Sequence, residues 1–252
     1  MTRKVHVLCA NIQAGATTRR TLDYIVRSWS VWLPFGKSPN IDAIAALAQR
    51  HDVVGLQESD AGSIRSGFSC QAQAIGQRAA MPHTFRQINR EIGLVMASGN
   101  AVVGRYVPVS VRSVPLPSRI RGRGMLIVEY MLEDGSRWTV AVVHLSLRAT
   151  TRHKQAAAIA KTLEGAKNPL LMGDFNCSIN APEMQVLFEA TPLCKPRASI
   201  CTYPAWSPHR ALDHILIGGG LRMEKIRSVV VGGSDHLALS ATLTLPSPIA
   251  SL

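Results

Sequence analysis

The chain is short of acid. Its 252 residues carry 28 Lys and Arg against 16 Asp and Glu, a formal charge of +12, which argues against a cationic partner and favours a phosphate-bearing or otherwise anionic one. Arginines outnumber lysines, a choice suited to bidentate phosphate contacts; a basic surface also serves solubility alone, so charge does not decide. Paired cysteines are missing too. Cys9, Cys70, Cys177, Cys194 and Cys201 are odd in number and show no metal-ligand spacing, which argues against a disulfide framework and leaves reduced, mostly buried thiols as the expectation. No apolar run approaches the roughly 18 residues of a membrane span. Internal repeats, low-complexity tracts, long lysine tracts and nucleic-acid recognition modules are likewise absent. The opening Met1-Thr2-Arg3-Lys4 passes straight into a strand pattern without the apolar stretch of a signal peptide. The expectation is a cytoplasmic monomer with no transmembrane segment.

What is present is a succession of regular elements. Val5, Val7 and Cys9 alternate along a strand at 4–10. Residues 15–40 break the rhythm with arginines, Tyr24, Trp29, Trp32, Leu33 and Phe35, predicting an insert of helix and loop. Helical spacing returns at 41–50, followed by a buried-type strand at 52–58 and a helix at 71–80. Short β segments are expected at 93–96, 101–103 and 107–114. Two long β runs, 125–132 and 137–145, join through the turn Glu133-Asp134-Gly135-Ser136. Helices at 150–164 and 182–189 enclose a strand at 169–172, and strands at 212–217, 226–231 and 237–245 follow. The Pro/Ser-rich residues 246–252 are expected to fray. Strand-helix-strand units mixed with hairpins predict mixed sheets with helices outside, in a single domain over 1–252.

Several apolar strands end in a side chain that can bind a metal or move a proton. Val-His-Val-Leu-Cys-Ala ends in Asn11, Val-Val-Gly-Leu-Gln in Glu58, Val-Ala-Val-Val in His144, and Leu-Leu-Met-Gly in Asp174. Strand termini can converge on one rim, where α/β folds place their sites. Asp213-His214 and Ser234-Asp235-His236 add further groups. The oxygen donors Glu58, Asp174, Asn176 and Asp235 suit a hard ion such as Mg²⁺ or Mn²⁺ better than zinc. A histidine beside a carboxylate can be oriented and held protonated. Singly, each has a plain structural reading: Asn11 as a turn former, Glu58 as a cap, Asp174 in a turn with Asn176. Those readings leave the company of His144, Asp213 and His236 unexplained. His6, His51, His83, His153, His209 and His214 recur at no metal spacing and read as structural or surface residues.

Gln57-Glu58, Gly173-Asp174-Phe175-Asn176, Leu212-Asp213 and Ser234-Asp235-His236 stand in the order and spacing of the endonuclease/exonuclease/phosphatase superfamily, and the chain resembles it from Asn11 to His236. The resemblance implies a four-layer αββα sandwich, two mixed β-sheets packed face to face and flanked by helices. It implies a metal-dependent phosphoesterase with one or two Mg²⁺ or Mn²⁺ ions. Glu58 would be the main metal carboxylate, helped by Asn11 and Asp235. Asp174 and Asn176 would position water and phosphate, His236 paired with Asp213 would meet the scissile phosphate, and His144 would be a second active-site histidine. Asn100, in Ser98-Gly99-Asn100-Ala101, resembles the family's Gly-Asn-Ala strand entry and would lie near the phosphate. Gln13 departs from the pattern, standing where abasic-site endonucleases often carry an aspartate; this weakens the case for abasic-site repair and points to modest metal affinity.

Arg119, Arg121 and Arg123 alternate, so an extended segment would set them on one side, and Arg123, Arg148 and Arg152 are candidates to grip substrate phosphate. The segment 19–35 could place its arginines and tryptophans at a lipid headgroup layer, as a peripheral membrane contact, or pack on the core as an ordinary insert. Three functions remain open at this point: a phosphatase or phosphodiesterase on a small-molecule or lipid-linked ester, a DNA or RNA nuclease using the same basic rim, and an inactive binding scaffold.

Overall fold

The computed structural model describes residues 2–16, 38–118 and 122–250. In chain order the elements are β1 (Arg3–Asn11), α1 (Ser38–Ala48), β2 (Val53–Asp60), α2 (Gln71–Arg78), β3 (His83–Ile92), β4 (Met96–Gly104), β5 (Ser110–Pro115), β6 (Gly124–Met131), β7 (Arg137–His144), α3 (Ala149–Leu163), β8 (Asn168–Asp174), α4 (Gln185–Ala190), β9 (Asp213–Ile217), β10 (Arg222–Val229) and β11 (Ala238–Leu245). They form a six-stranded sheet ordered β10-β11-β1-β2-β4-β3 and a five-stranded sheet ordered β5-β6-β7-β8-β9. Each sheet is mixed through one parallel pair, β1 with β2 and β7 with β8.

Period-two alternation explains the layers. Along β1, Val5, Val7 and Cys9 enter a core shared with Leu126, Val128, Val140, Val142 and Met172 of the other sheet. Leu8 and Ala10 point the opposite way, against Ile41, Ile44, Ala72 and Ile75 of α1 and α2. In the five-stranded sheet, Ala141, Val143 and Leu171 face Ala156, Ile159 and Leu163 of α3 and Leu187 of α4. The order is helices, sheet, sheet, helices, as the resemblance implied. Each fully buried Val or Leu contributes about 1.5–3 kcal/mol relative to exposure, and strands buried on both faces read as near-continuous apolar runs. At Gly55 the sheets approach so closely that a Cβ would stand 2.7 Å from Met172 Cε and 2.8 Å from Val142 Cγ2.

Three sequence expectations change. The strand at 83–92 was not anticipated, because His-Thr-Phe-Arg-Gln-Ile-Asn-Arg-Glu-Ile is an edge strand with a mostly exposed, polar face. Residues 93–95, expected to begin a strand, form the turn between β3 and β4. The Pro/Ser-rich end does not fray up to residue 250: Glu133 N–H donates to Pro248 O at 2.9 Å, Ala250 N–H to Met131 O at 2.9 Å, and Ile249 is buried. The five cysteines are free thiols. Among the described residues no helix is long and apolar enough to cross a membrane. The segment 19–35, with Trp29 and Trp32, lies outside the described residues, as do Arg119 and Arg121.

Candidate active site

The two parallel pairs decide where chemistry collects. In the five-stranded sheet His144 pairs in register with Asp174, and Asp174 with Asp213, so three strands present their polar ends on one rung. In the six-stranded sheet Asn11 pairs with Gln57 at the matching end. The ladder between β2 and β4 slips between Leu56 and Ser59. Glu58 occupies that bulge with φ of 55°, a left-handed conformation that costs a non-glycine residue about 1–2 kcal/mol. Bulges re-aim side chains beside active sites, and this one aims Glu58 at the rim.

Asn11, Glu58, Arg123, His144, Asp174, Asn176, Asp235 and His236 all line one cavity of about 270 Å³. Asp174 is its centre. One carboxylate oxygen accepts the Asn176 backbone N–H at 2.9 Å; the other lies 3.2 Å from Asn11 Nδ2, 3.5 Å from His144 Nε2 and 3.9 Å from His236 Nε2. Asn176 tolerates its φ of 55° as asparagines do, and its own amide donates to Leu145 O at 2.9 Å. Its side chain therefore buttresses the turn. Asn11 is held by Gln13 N–H on its Oδ1 at 3.1 Å, and its Nδ2 also lies 3.5 Å from Glu58 Oε1.

The two histidines carry opposite charge states. Burial, the largest influence on His236, pulls its pKa down, but the 2.8 Å bond from Nδ1 to Asp213 Oδ2 and the charges of Asp213, Asp174 and Asp235 outweigh it and carry the value to about 10. His236 is an imidazolium at neutral pH. Burial, with Arg123 and His236 adding to it, holds His144 well below the ordinary histidine value, so His144 is neutral. Asp174 is pushed upward by burial and by Asp213. Glu58 is raised by burial and then by the charge of Asp235.

The loop that grips Asp213 and His236 was not anticipated from the sequence. Thr202, fully buried, donates its hydroxyl to Asp213 Oδ2 at 2.5 Å. The Tyr203 ring rests 5.0 Å from the His236 ring, and Arg210 lies 5.7 Å over the other aromatic centroid, that of Tyr203. Only contact across a long connection brings these residues in, and nothing in their local sequence announces it.

Three expected phosphate contacts do not line this cavity. Arg148 is exposed before α3 and does not line the cavity. Arg152 is buried in a 2.6 Å ion pair with Glu183 and ties down Ser146 O at 3.2 Å, a structural duty. Asn100 lines a neighbouring cavity, but its Nδ2 is spent on Gly124 O at 2.8 Å, Val142 O at 3.3 Å and Gln87 Oε1 at 3.4 Å. His214, buried and within 2.9 Å of Cys177 O, is structural as expected.

Two mixed sheets with carboxylates and histidines gathered on one rim define a class, and comparison with known proteins agrees. The chain belongs to the endonuclease/exonuclease/phosphatase family, whose model matches residues 11–236; its members are generally hydrolytic phosphoesterases and generally depend on a divalent metal. No curated protein sequence matches significantly. Among solved structures the fold is similar to an endonuclease/exonuclease/phosphatase from Beutenbergia cavernae (TM-score 0.75, 20% identity, 96% of this chain and 72% of that one). It is similar to a mannosyl-6-phosphatase from Bacteroides thetaiotaomicron (0.68, 16%, 95% and 99%) and to the human Nocturnin catalytic domain with bound sulfate (0.67, 16%, 95% and 94%).

Proposed function

We propose that the chain is a divalent-metal-dependent hydrolase of phosphate esters, acting on a small-molecule or lipid-linked substrate by in-line attack of water at phosphorus. The reading is carried by the geometry of one cavity wall, where Asp174 lies 3.5 Å from His144 Nε2 and 3.9 Å from His236 Nε2, with His236 held by Asp213 at 2.8 Å. The likeness in fold to a mannosyl-6-phosphatase and to a sulfate-bound catalytic domain supports a phosphoryl substrate.

The donor set fits a hard cation. Glu58, Asp174 and Asp235 face one cavity with the Asn11 amide; burial first and the charge of Asp235 second raise Glu58, and positive charge between the carboxylates offsets both. Glu58, Asp235 and Asn11 would hold one or two Mg²⁺ or Mn²⁺ ions, with Asp174 beside them. Such an ion supplies Lewis-acid stabilisation of charge on the phosphoryl oxygens. Ligand atoms of Asp174, Asp213 and His236 also lie within 4.8 Å of one another. Asp213 Oδ2 serves both Thr202 and His236 while Oδ1 is buried without a hydrogen-bond partner among the described residues; on the strength of the 2.8 Å bond between Asp213 and His236 the trio is assigned to proton handling.

Asp174 takes one proton from the attacking water as the new P–O bond forms, and its raised pKa suits that task near neutrality. His236 gives its proton to the leaving oxygen as the old P–O bond breaks. Transfer of the proton from Asp174 to His236 restores both groups. His144 and Arg123 face the same space and would donate to phosphoryl oxygens as charge develops. Asn176 is a positioning residue for Asp174, and Arg148 would act on approach only.

The test is turnover with Mg²⁺, Mn²⁺ or chelator against a chromogenic monoester and diester, plasmid DNA, single-stranded RNA and anionic phospholipid vesicles. Metal-dependent cleavage of a small ester or lipid is the expected result. Rapid plasmid nicking with steep salt dependence would instead assign the rim to nucleic acid, and no turnover with no metal bound would leave a scaffold.

A further inference from the structure

Beyond the catalytic cavity lies a second one of about 170 Å³, lined by Arg65, Arg90, Arg123, Asn89, Ser98 and Asn100 among others, and sharing Glu58, Arg123 and His144 with the first. Its walls are local irregularities of two ladders. Strand β3 slips against β4 between Ile88 and Arg90, as β2 does between Leu56 and Ser59 on the other side of β4. Both bulges open over Ser98-Gly99-Asn100, where the chain runs so close to β3 that a Cβ on Gly99 would stand 1.7 Å from Gln87 O.

The three guanidiniums are held differently. Arg65 is buried and locked by Asp60, which accepts its Nε–H at 2.6 Å. Arg123 donates to Gly122 O at 3.2 Å, while neither Arg123 nor the exposed Arg90 pairs with a carboxylate among the described residues. Arg90 and Arg123 are close enough to repel each other. Glu58 also borders this space and offsets one positive charge. Like charges converging on a polar hollow mark a place that an anion completes.

The geometry points to a subsite for a second, non-scissile phosphate at the end of the same substrate, bound by Arg65, Arg90 and Arg123. Size favours a terminal phosphoryl group over a through-running nucleic-acid backbone, since this hollow is the smaller of the two, about 170 Å³ against about 270 Å³. The inference rests on the phosphoesterase reading and narrows it to substrates with two phosphates.

The experiment compares binding and turnover of adenosine 3′,5′-bisphosphate with 3′-AMP and 5′-AMP, and of fructose 1,6-bisphosphate with fructose 6-phosphate. A 5′-phosphorylated thymidine trinucleotide is the polymer probe. Wild type, Arg90→Ala and Arg90→Lys are titrated calorimetrically in chelator, where no turnover is needed, and then assayed with Mg²⁺. Arg90 is exposed at an edge strand, so its removal spares the core. Wild type is expected to prefer at least one bisphosphate over its monophosphates by about tenfold to a hundredfold, the worth of one charge-assisted contact. Arg90→Ala should bring that ratio toward one and Arg90→Lys should restore part of it. Equal affinity for mono- and bisphosphates in wild type, or a preference untouched by Arg90→Ala, overturns the subsite. So does an Arg90-dependent preference for the trinucleotide over both bisphosphates. Arg90-dependent bisphosphate binding without hydrolysis of any ester upholds the subsite and sinks the catalytic reading instead.

Discussion

Glu58 and Asp60 lie two residues apart on β2, both carry a carboxylate withdrawn from solvent, and they have opposite fates. Asp60 accepts from Gly62 N–H, Ser63 N–H, Ser63 Oγ, Arg65 Nε and Ser66 Oγ at 2.6–3.0 Å. Burial tends to raise its pKa, yet the Arg65, Ser63 and Ser66 bonds outweigh it and bring the value down to about 2. Among the described residues Glu58 has only an asparagine amide at 3.5 Å, and burial, with the charge of Asp235 adding to it, raises its pKa. Saturated oxygens make a structural carboxylate; unsaturated oxygens facing like charge make a place for a cation. Asp213 and Asp174 differ in placement instead: Asp213 Oδ2 is tied to Thr202 and His236, whereas Asp174 lines the cavity beside Glu58 and Asp235.

The largest effect should come from the centre of the cavity. Asp174→Ala or His236→Ala is predicted to lower kcat by at least about 100- to 1,000-fold, with an unchanged circular-dichroism spectrum; near-wild-type turnover in either removes the mechanism. Next come the two β2 carboxylates. Asp60→Asn leaves Arg65 buried without its counter-charge and should cost about 3–5 kcal/mol in urea unfolding. Glu58→Gln removes unrelieved charge, so in chelator it should unfold no earlier than wild type while losing metal-dependent activity. A reversal of those two stabilities would break the comparison.

Acid sharpens it further. The folded pKa of Asp60 is depressed from 3.8 to about 2, so its stabilisation is present above pH 3.8 and drains as pH falls toward 2, about 2 kcal/mol in all. The gap in unfolding free energy between wild type and Asp60→Asn should therefore be wide near neutrality and narrow toward about pH 2. The smallest effect is expected for Thr202→Val, which frees Asp213 from its 2.5 Å hydroxyl. Loss of such an orienting partner costs roughly tenfold in activity, seen as a fall in kcat with KM little changed and an altered basic limb of the pH profile.

Much of this was legible in the sequence, for a physical reason. Doubly buried strands such as β1, β2, β7 and β8 must be apolar to their ends, so Asn11, Glu58, His144 and Asp174 stand out where the apolar run stops. Edge strands carry no such signal, which is why β3 and its bulge at Asn89, and with them the Arg90 wall of the second cavity, were invisible. The Asp60–Arg65 lock, Thr202 and Tyr203 act through contacts that only folding creates. Proximity to His144 in sequence does not place Arg148 and Arg152 in the cavity, because α3 leaves Arg148 exposed before it and sets Arg152 against Glu183.

Most of the chemistry proposed for this site depends on Glu58, Asp235 and Asn11, beside Asp174, caging a divalent cation. A crystal grown with Mn²⁺ and measured for anomalous scattering tests it without reference to any substrate. A peak bounded by Glu58 and Asp235, with Asn11 and Asp174 alongside, is the expected result. A peak bound instead by Asp213 and His236, or no peak at saturating Mn²⁺, would contradict it.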